Sequence, residues 1–257
     1  MPELPDLQVF SQNLNKKLAG KKLMQLVIRE RSKLKQSVAA IRKAVEGSKV
    51  KKVYREGKEI HFAFNNGNIL GLHMMLRGEL HYFEGKNEHR FTILEMHFSG
   101  KTGLVLTDYQ RNANVTLNPL VRESPDALSK KVNASFLKKL LSRKAAIKNV
   151  LLDQDLIRGI GNAYADEILW KAGISPFSIS EKIPSQQISK LAKAIKFVLN
   201  GATKKIAKAE PDIIGGEIRD FLDIHNSKKT HSPTGSKIMV KSGGRKTYYT
   251  SEQKLYK

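Results

Sequence analysis

The sequence predicts an α+β protein of two domains: an N-terminal β-sandwich led by one helix, and a C-terminal helical domain that ends in a β-hairpin. Three observations carry that expectation. An amphipathic stretch opens the chain, eight short runs of β-forming residues follow it as far as residue 118, and beyond Pro119 the apolar spacing becomes helical.

The first helix is read from Asp6 to Leu18, where Leu7, Phe10, Leu14 and Leu18 recur every three or four residues and Gly20 offers a stop. The strand candidates are KLMQLVI, KVKKVY, IHFAF, ILGLHMML, GELHYF, FTILEMHF, GLVLTD and ANVTLN, separated by Gly, Asn and charged turns. Together they define an N-terminal domain over 1–120. The polar, proline-bearing NPLVRESPDAL supplies a linker at 121–131. Helical periods then run over Ser135–Arg143, Ile147–Asp153, Asn162–Ala172 and Ile188–Ala207, within a domain expected at 132–224. In 225–257, SKIMV and RKTYYT flank the turn-forming KSGG and read as a hairpin with too little apolar surface to fold alone. No internal repeat is present.

Length and composition narrow the function. The chain has 257 residues, 40% of them hydrophobic, enough for at least one real core. Forty-six Lys and Arg against 24 acidic residues give a formal charge of +22, which favours a polyanionic partner through steering and counterion release. Nucleic acid is the first expectation, though ribosomal proteins and membrane-surface binders share such an excess. No apolar run approaches the roughly 18 residues of a membrane span. MPELPDLQVF carries no basic region followed by an apolar one, so a cytoplasmic protein with no membrane partner is expected. With no cysteine, disulfides and thiolate metal sites are excluded; the seven histidines miss helical metal-ligand spacing, and no metal or other cofactor is expected.

The N-terminus carries a possible chemistry. Removal of Met1 leaves Pro2 with a free secondary amine, and an α-amino group titrates near pH 8 (about 7.7–8.0), so a useful fraction is neutral at physiological pH. Such an amine can attack a sugar C1′ and form an iminium, and the Glu3 carboxyl beside it can act as general acid. The same residues also suit a helix N-terminus for purely structural reasons.

Further residues raise the chemical reading. MPELPDLQ resembles the opening of the formamidopyrimidine-DNA glycosylase and endonuclease VIII family, and LLDQDLIRGIGNAYADEILWKAGISP, at 151–176, resembles that family's helix-two-turn-helix. In the second motif, GIGN sets Gly159 and Gly161 before a helix led by Asn162, so that backbone N–H groups and the positive helix end can face a phosphate. A glycine turn capped by asparagine is the plainer reading. Behind it, Ala165, Ile168, Leu169 and Ala172 form the packing face, and Asp166 and Glu167 are expected to stay polar.

The resemblance implies roles for single residues. YREGKEIHF places a phosphate-binding lysine at Lys58, and LHMMLRGEL places His73 near the DNA backbone and Leu76 where a side chain fills the space left by a flipped base. GGRKTYYT resembles the tip of the family's finger hairpin, with Arg245 as its phosphate-gripping arginine. In TDYQRNANVTL only Asp108 and Arg111 match the family; Gln110 and Asn112 stand where an arginine and a phenylalanine wedge into the duplex. The four zinc-binding positions of the finger hold His231, Thr234, Thr250 and Gln253, which predicts a zincless finger.

By this resemblance the chain is expected to be a monomeric bifunctional glycosylase and abasic-site lyase acting on damaged double-stranded DNA, with Pro2 as nucleophile and Glu3 as general acid. After GGEIRDFL the chain passes through DIHNSKKT almost directly into the finger, without the longer loop that covers 8-oxoguanine in the formamidopyrimidine branch. Oxidised pyrimidines and formamidopyrimidines are therefore the expected lesions, with an 8-oxoguanine preference as the alternative. The rivals are an inactive binder of damaged DNA with the same fold and an RNA- or ribosome-associated protein.

Overall fold

A computed structural model describes all residues, 1–257. Helix α1 (Leu4–Leu18) buries Leu7, Phe10, Leu14 and Leu18, the four residues whose spacing predicted it. Each of the eight strand candidates forms a strand. They are β1 (Leu23–Ile28), β2 (Val50–Glu56), β3 (Glu59–Phe64), β4 (Ile69–His73), β5 (Glu79–Glu84), β6 (Thr92–Phe98), β7 (Thr102–Thr107) and β8 (Asn114–Leu117). They pair antiparallel in two four-stranded sheets, ordered β1-β6-β7-β5 and β2-β3-β4-β8. Leu26, Leu94, Met96 and Leu106 of one sheet and Val53, Ile60, Phe62 and Leu72 of the other share a core with α1. This is the α+β fold expected, with a sandwich first.

Two details of this half escape the sequence pattern. Helix α2 (Val38–Val45) lies between β1 and β2, capped by the Ser37 hydroxyl, which accepts from the Ala40 N–H; it buries only Ile41 and Val45 deeply. Strand β4 stops at His73 instead of running to Leu76. Met75 turns into the left-handed region (φ 53°), and the Gly78 N–H bonds the Met74 carbonyl at 2.8 Å. A Cβ on Gly78 would stand 2.3 Å from that carbonyl oxygen, so the turn needs glycine there.

The second half contains α3 (Ala134–Leu140), α4 (Ile147–Leu152), α5 (Asn162–Ala172) and α6 (Ser185–Ala209), followed by β9 (Met239–Lys241) and β10 (Thr247–Tyr249). Helix α5 ends at Gly173, whose φ of 67° makes a left-handed cap. Tyr164, Ile168, Leu169, Ile147, Leu151, Leu191 and Ile195 are fully buried.

The chain divides into two compact units whose limits differ from the expected ones. Unit 1 is Met1–Val121 with Ile206–Glu217, and unit 2 is Arg122–Lys205 with Ile218–Lys257. The segment read as a linker, 121–131, is mostly built into unit 2: Ala127 is buried, and the Lys196 ammonium donates to the Ala127 and Ser129 carbonyls at 2.6 Å each. Residues 206–217 leave the expected helical domain because Ile214 enters the sandwich core and the Asn13 amide donates to the Ile213 carbonyl at 2.9 Å.

The terminal hairpin lies within unit 2, where Ile238 and Tyr248 pack with Ile224 and the flank of Trp170. At its base, the Glu252 carboxylate accepts hydrogen bonds from the Trp170 indole, the Thr250 and Ser232 hydroxyls and the Thr234 hydroxyl. Gln253 donates to the Ile174 carbonyl and accepts from the Thr250 N–H. Of the four positions that hold zinc ligands in the family's usual finger, only His231 offers an imidazole, while Thr234, Thr250 and Gln253 are engaged in these bonds. The set does not fit a tetrahedral zinc site.

The Thr234 hydroxyl, opposed by desolvation and assisted by Trp170, Thr250 and Ser232, lowers the Glu252 pKa. Folding therefore favours the carboxylate. Its stabilisation is full above the ordinary glutamate value, about 4.3, and is lost as pH falls through the lowered one. Trp170 is the single tryptophan, so its emission should shift to the red in that acidic window, and at neutral pH in a Glu252→Ala variant.

Candidate active site and nucleic-acid contacts

In unit 1 the candidate site is the start of α1. Glu3 occupies the N-cap in extended geometry (φ −111°, ψ −173°), and its side chain accepts from the Asp6 N–H while the Asp6 carboxylate accepts from the Glu3 N–H at 2.8 Å. Carboxylates here are favoured by the positive end of the helix. Glu3 is only 4% exposed and Asp6 is fully buried, and Pro2 is buried between them and the terminus. The Met1 ammonium pairs with the carboxylate of Glu217, 216 positions along the chain. The fold thus gathers the terminal amine, Pro2 and three carboxylates. Asp6 and Glu217 carried no sequence signal: one reads as an ordinary first-turn acid, the other as a lone glutamate after two glycines.

Lys58 sits half-buried on the β2–β3 turn with Gly57 (φ 59°). The Arg55 guanidinium fastens that turn to α1, bonding the Gln8 side chain and the Gly57 carbonyl at 3.0 Å each. His73 ends β4, and its Nδ1 accepts from the Met75 N–H at 3.0 Å, so this ring shapes the turn that presents Leu76. Leu76 is 56% exposed, unlike a core leucine. Arg111 is exposed and left-handed (φ 53°) on a turn organised by buried Asp108, whose carboxylate accepts from the Gln110, Asn112 and Ala113 N–H groups.

Unit 2 brings Asn162 and the Arg245 region together. Gly159 is left-handed (φ 102°), Gly161 is the N-cap of α5, and no side chain caps that helix. The Asn162 amide donates to the Lys246 carbonyl at 2.9 Å, which joins the helix start to the residue beside exposed Arg245.

Asp166 and Glu167, expected to stay polar, are instead buried acceptors. Asp166 takes the Lys148 ammonium at 2.7 Å, the His225 ring at 2.7 Å and the Tyr248 N–H at 2.9 Å. Lys148 also donates to the Thr247 hydroxyl and the Lys246 carbonyl. Glu167 accepts from the N–H groups of Asp223, Ile224 and His225, while burial pushes its carboxyl pKa up. These two acids fix the root of the hairpin that carries Arg245.

Residues 1–115 match the formamidopyrimidine-DNA glycosylase N-terminal domain, and 124–210 match the formamidopyrimidine-DNA glycosylase H2TH domain. A formamidopyrimidine-DNA glycosylase of Pelotomaculum thermopropionicum is 32% identical over 97% of both chains. The chain belongs to the formamidopyrimidine-DNA glycosylase family. A member from Desulfitobacterium hafniense is also 32% identical, over 77% of each chain. Among solved structures of the family, the Lactococcus lactis enzyme bound to DNA containing an abasic site superposes with a TM-score of 0.86 at 20% identity, covering 98% of this chain and 99% of that one. The same enzyme with DNA containing an oxidised pyrimidine gives 0.85 at 22%, covering 97% and 98%. These likenesses establish the family's fold from one end of the chain to the other. No helix is long and apolar enough to cross a membrane.

Proposed function

We propose that this protein is a monomeric, cytoplasmic DNA glycosylase and abasic-site lyase of base excision repair that removes oxidised pyrimidines and formamidopyrimidines. The observation that carries the reading is the buried Pro2–Glu3 start of α1, closed reciprocally by Asp6 and with the terminal amine held on Glu217, in a chain of this family. After loss of Met1, the Pro2 nitrogen attacks C1′ of an extruded nucleotide; the glycosidic bond breaks and the base leaves with its bonding pair and a proton. Glu3 protonates the sugar ring oxygen, giving an open-chain iminium. Loss of a C2′ proton then expels the 3′ phosphate, and a second elimination expels the 5′ phosphate, leaving a one-nucleotide gap with phosphate at both ends.

Lys58, His73, Arg111, Asn162 and Arg245 hold the backbone in this scheme, and Leu76 fills the space left by the extruded nucleotide. The +22 charge supports a polyanionic substrate. Asn162 acts together with Arg245, since its amide already steadies the hairpin at Lys246. The lesion preference rests on the short passage from GGEIRDFL to the finger.

Borohydride trapping tests the scheme. With duplexes carrying thymine glycol, dihydrouracil, formamidopyrimidine, 8-oxoguanine or an abasic site, we expect a reduced adduct at Pro2, mapped by mass spectrometry. Binding without any adduct would mark an inactive binder. Full cleavage by protein whose terminus is blocked or retains Met1 would overturn the nucleophile.

A further inference from the structure

Helix α6 has two unlike faces. Ile188, Leu191, Ile195 and Leu199 are buried in unit 2. On the opposite side Lys190, Lys193, Phe197 and Lys204 follow one another at intervals of three, four and seven, and all four are exposed. That spacing sets them within about 60° of one another around the helix and spreads them over about 21 Å of its length. From this face we infer a docking surface for an acidic peptide segment that carries an aromatic or large aliphatic side chain. The role is separate from the base-excision scheme above and does not depend on it.

Two observations set this face apart from an ordinary solvated one. Between Ser185 and Ala209 the helix holds six lysines and no acidic residue. Surface helices commonly offset lysines with glutamates one turn away, and like charges at that spacing repel. Lys196, on the other side, is engaged by the Ala127 and Ser129 carbonyls, but α6 offers the outer lysines no carboxylate. The second observation is Phe197, at 65% exposure the most exposed aromatic ring of the chain. The Lys171 ammonium, from the last turn of α5, lies over that ring at 4.8 Å. The ring contributes nothing to the core, and the cation beside it fixes where it stands.

The chemistry of the face selects its occupant. Lys171, Lys190, Lys193 and Lys204 flank one ring, so the complement is a run of carboxylates with an apolar anchor among them. The length of the stripe matches about six residues of extended chain. A membrane surface is a poor match, because the apolar side of α6 that would enter it is packed inside unit 2. A nucleic-acid strand is a poor match too: single-strand sites are grooves with successive aromatic platforms, whereas this is the convex side of one helix with one ring. Lys171 also stands at the far end of α5 from Asn162 and its Lys246 anchor, roughly 14 Å along that helix.

The probe is a short fluorescein-labelled peptide, aspartates flanking a central pair of phenylalanines, titrated into the full-length protein and followed by anisotropy. The expected result is saturable, salt-sensitive binding that weakens about tenfold in Phe197→Ala and in the Lys193→Ala, Lys204→Ala double variant. A control peptide with alanines in place of the phenylalanines should bind wild type as weakly as the probe binds Phe197→Ala. The replaced side chains face solvent, so melting temperature and affinity for an abasic-site duplex should stay at wild-type levels. Equal binding of the two peptides, or of the probe to wild type and Phe197→Ala, would overturn the inference. A parallel loss of duplex affinity would overturn it in favour of nucleic acid. Tighter binding of wild type to vesicles containing anionic lipid than to the probe, lost in the same variants, would overturn it in favour of a membrane surface.

Discussion

A Glu3→Gln variant will bind lesion-containing duplex as tightly as wild type and lose base excision by about 10²- to 10⁴-fold, the range expected for removing a positioned general acid. The substitution separates chemistry from architecture. Glu3 caps α1 by accepting the Asp6 N–H, and a glutamine Oε1 accepts the same bond, so the helix start is preserved. What glutamine cannot do is deliver a proton to the sugar ring oxygen. Single-turnover excision of thymine glycol, read beside gel-shift affinity and melting temperature, checks this. A purely structural Glu3 would leave excision within a fewfold of wild type.

The largest effect on stability is expected at Lys148. A Lys148→Met variant leaves the fully buried Asp166 carboxylate facing an apolar group, and breaking a buried ion pair in this way typically costs about 3–5 kcal/mol. Denaturant unfolding should register that loss. Adding Asp166→Leu removes the stranded charge, and the double variant should regain part of the stability. The hairpin will not regain its order, because Asp166 also holds the Tyr248 N–H and the His225 ring. Hydrogen exchange at Lys246–Tyr249 should therefore be fast in the double variant, and in the single variant too, because Lys148 itself held the Lys246 carbonyl and the Thr247 hydroxyl. Loss of DNA affinity should follow that exchange more closely than the melting temperature, since Arg245 and the Asn162 anchor at Lys246 share this root.

Much of the sandwich was legible because its strands alternate or run apolar between clear turn residues, and α1, α4, α5 and α6 because their apolar spacing is helical. Helix α2 was not, since eight residues with two deeply buried side chains give too weak a period. At the site, Pro2 and Glu3 were readable as chemistry and equally as a helix start, and the structure shows the second role in full. Glu217 was invisible because its contact with the terminus spans almost the entire chain. Asp166 and Glu167 were misjudged because charge predicts exposure. The donors that make their burial tolerable come from other segments, Lys148 from α4 and the N–H groups of 223–225 and Tyr248 from far along the chain.

A family whose finger usually closes on thiolates has, in this chain, a closure of hydroxyls and one carboxylate around Glu252. Peroxide has no sulfur ligand there to oxidise, and a chelator has no ion to withdraw. The clamp at the base of the hairpin that carries Arg245 would thus keep its grip in the same chemical stress that produces oxidised bases.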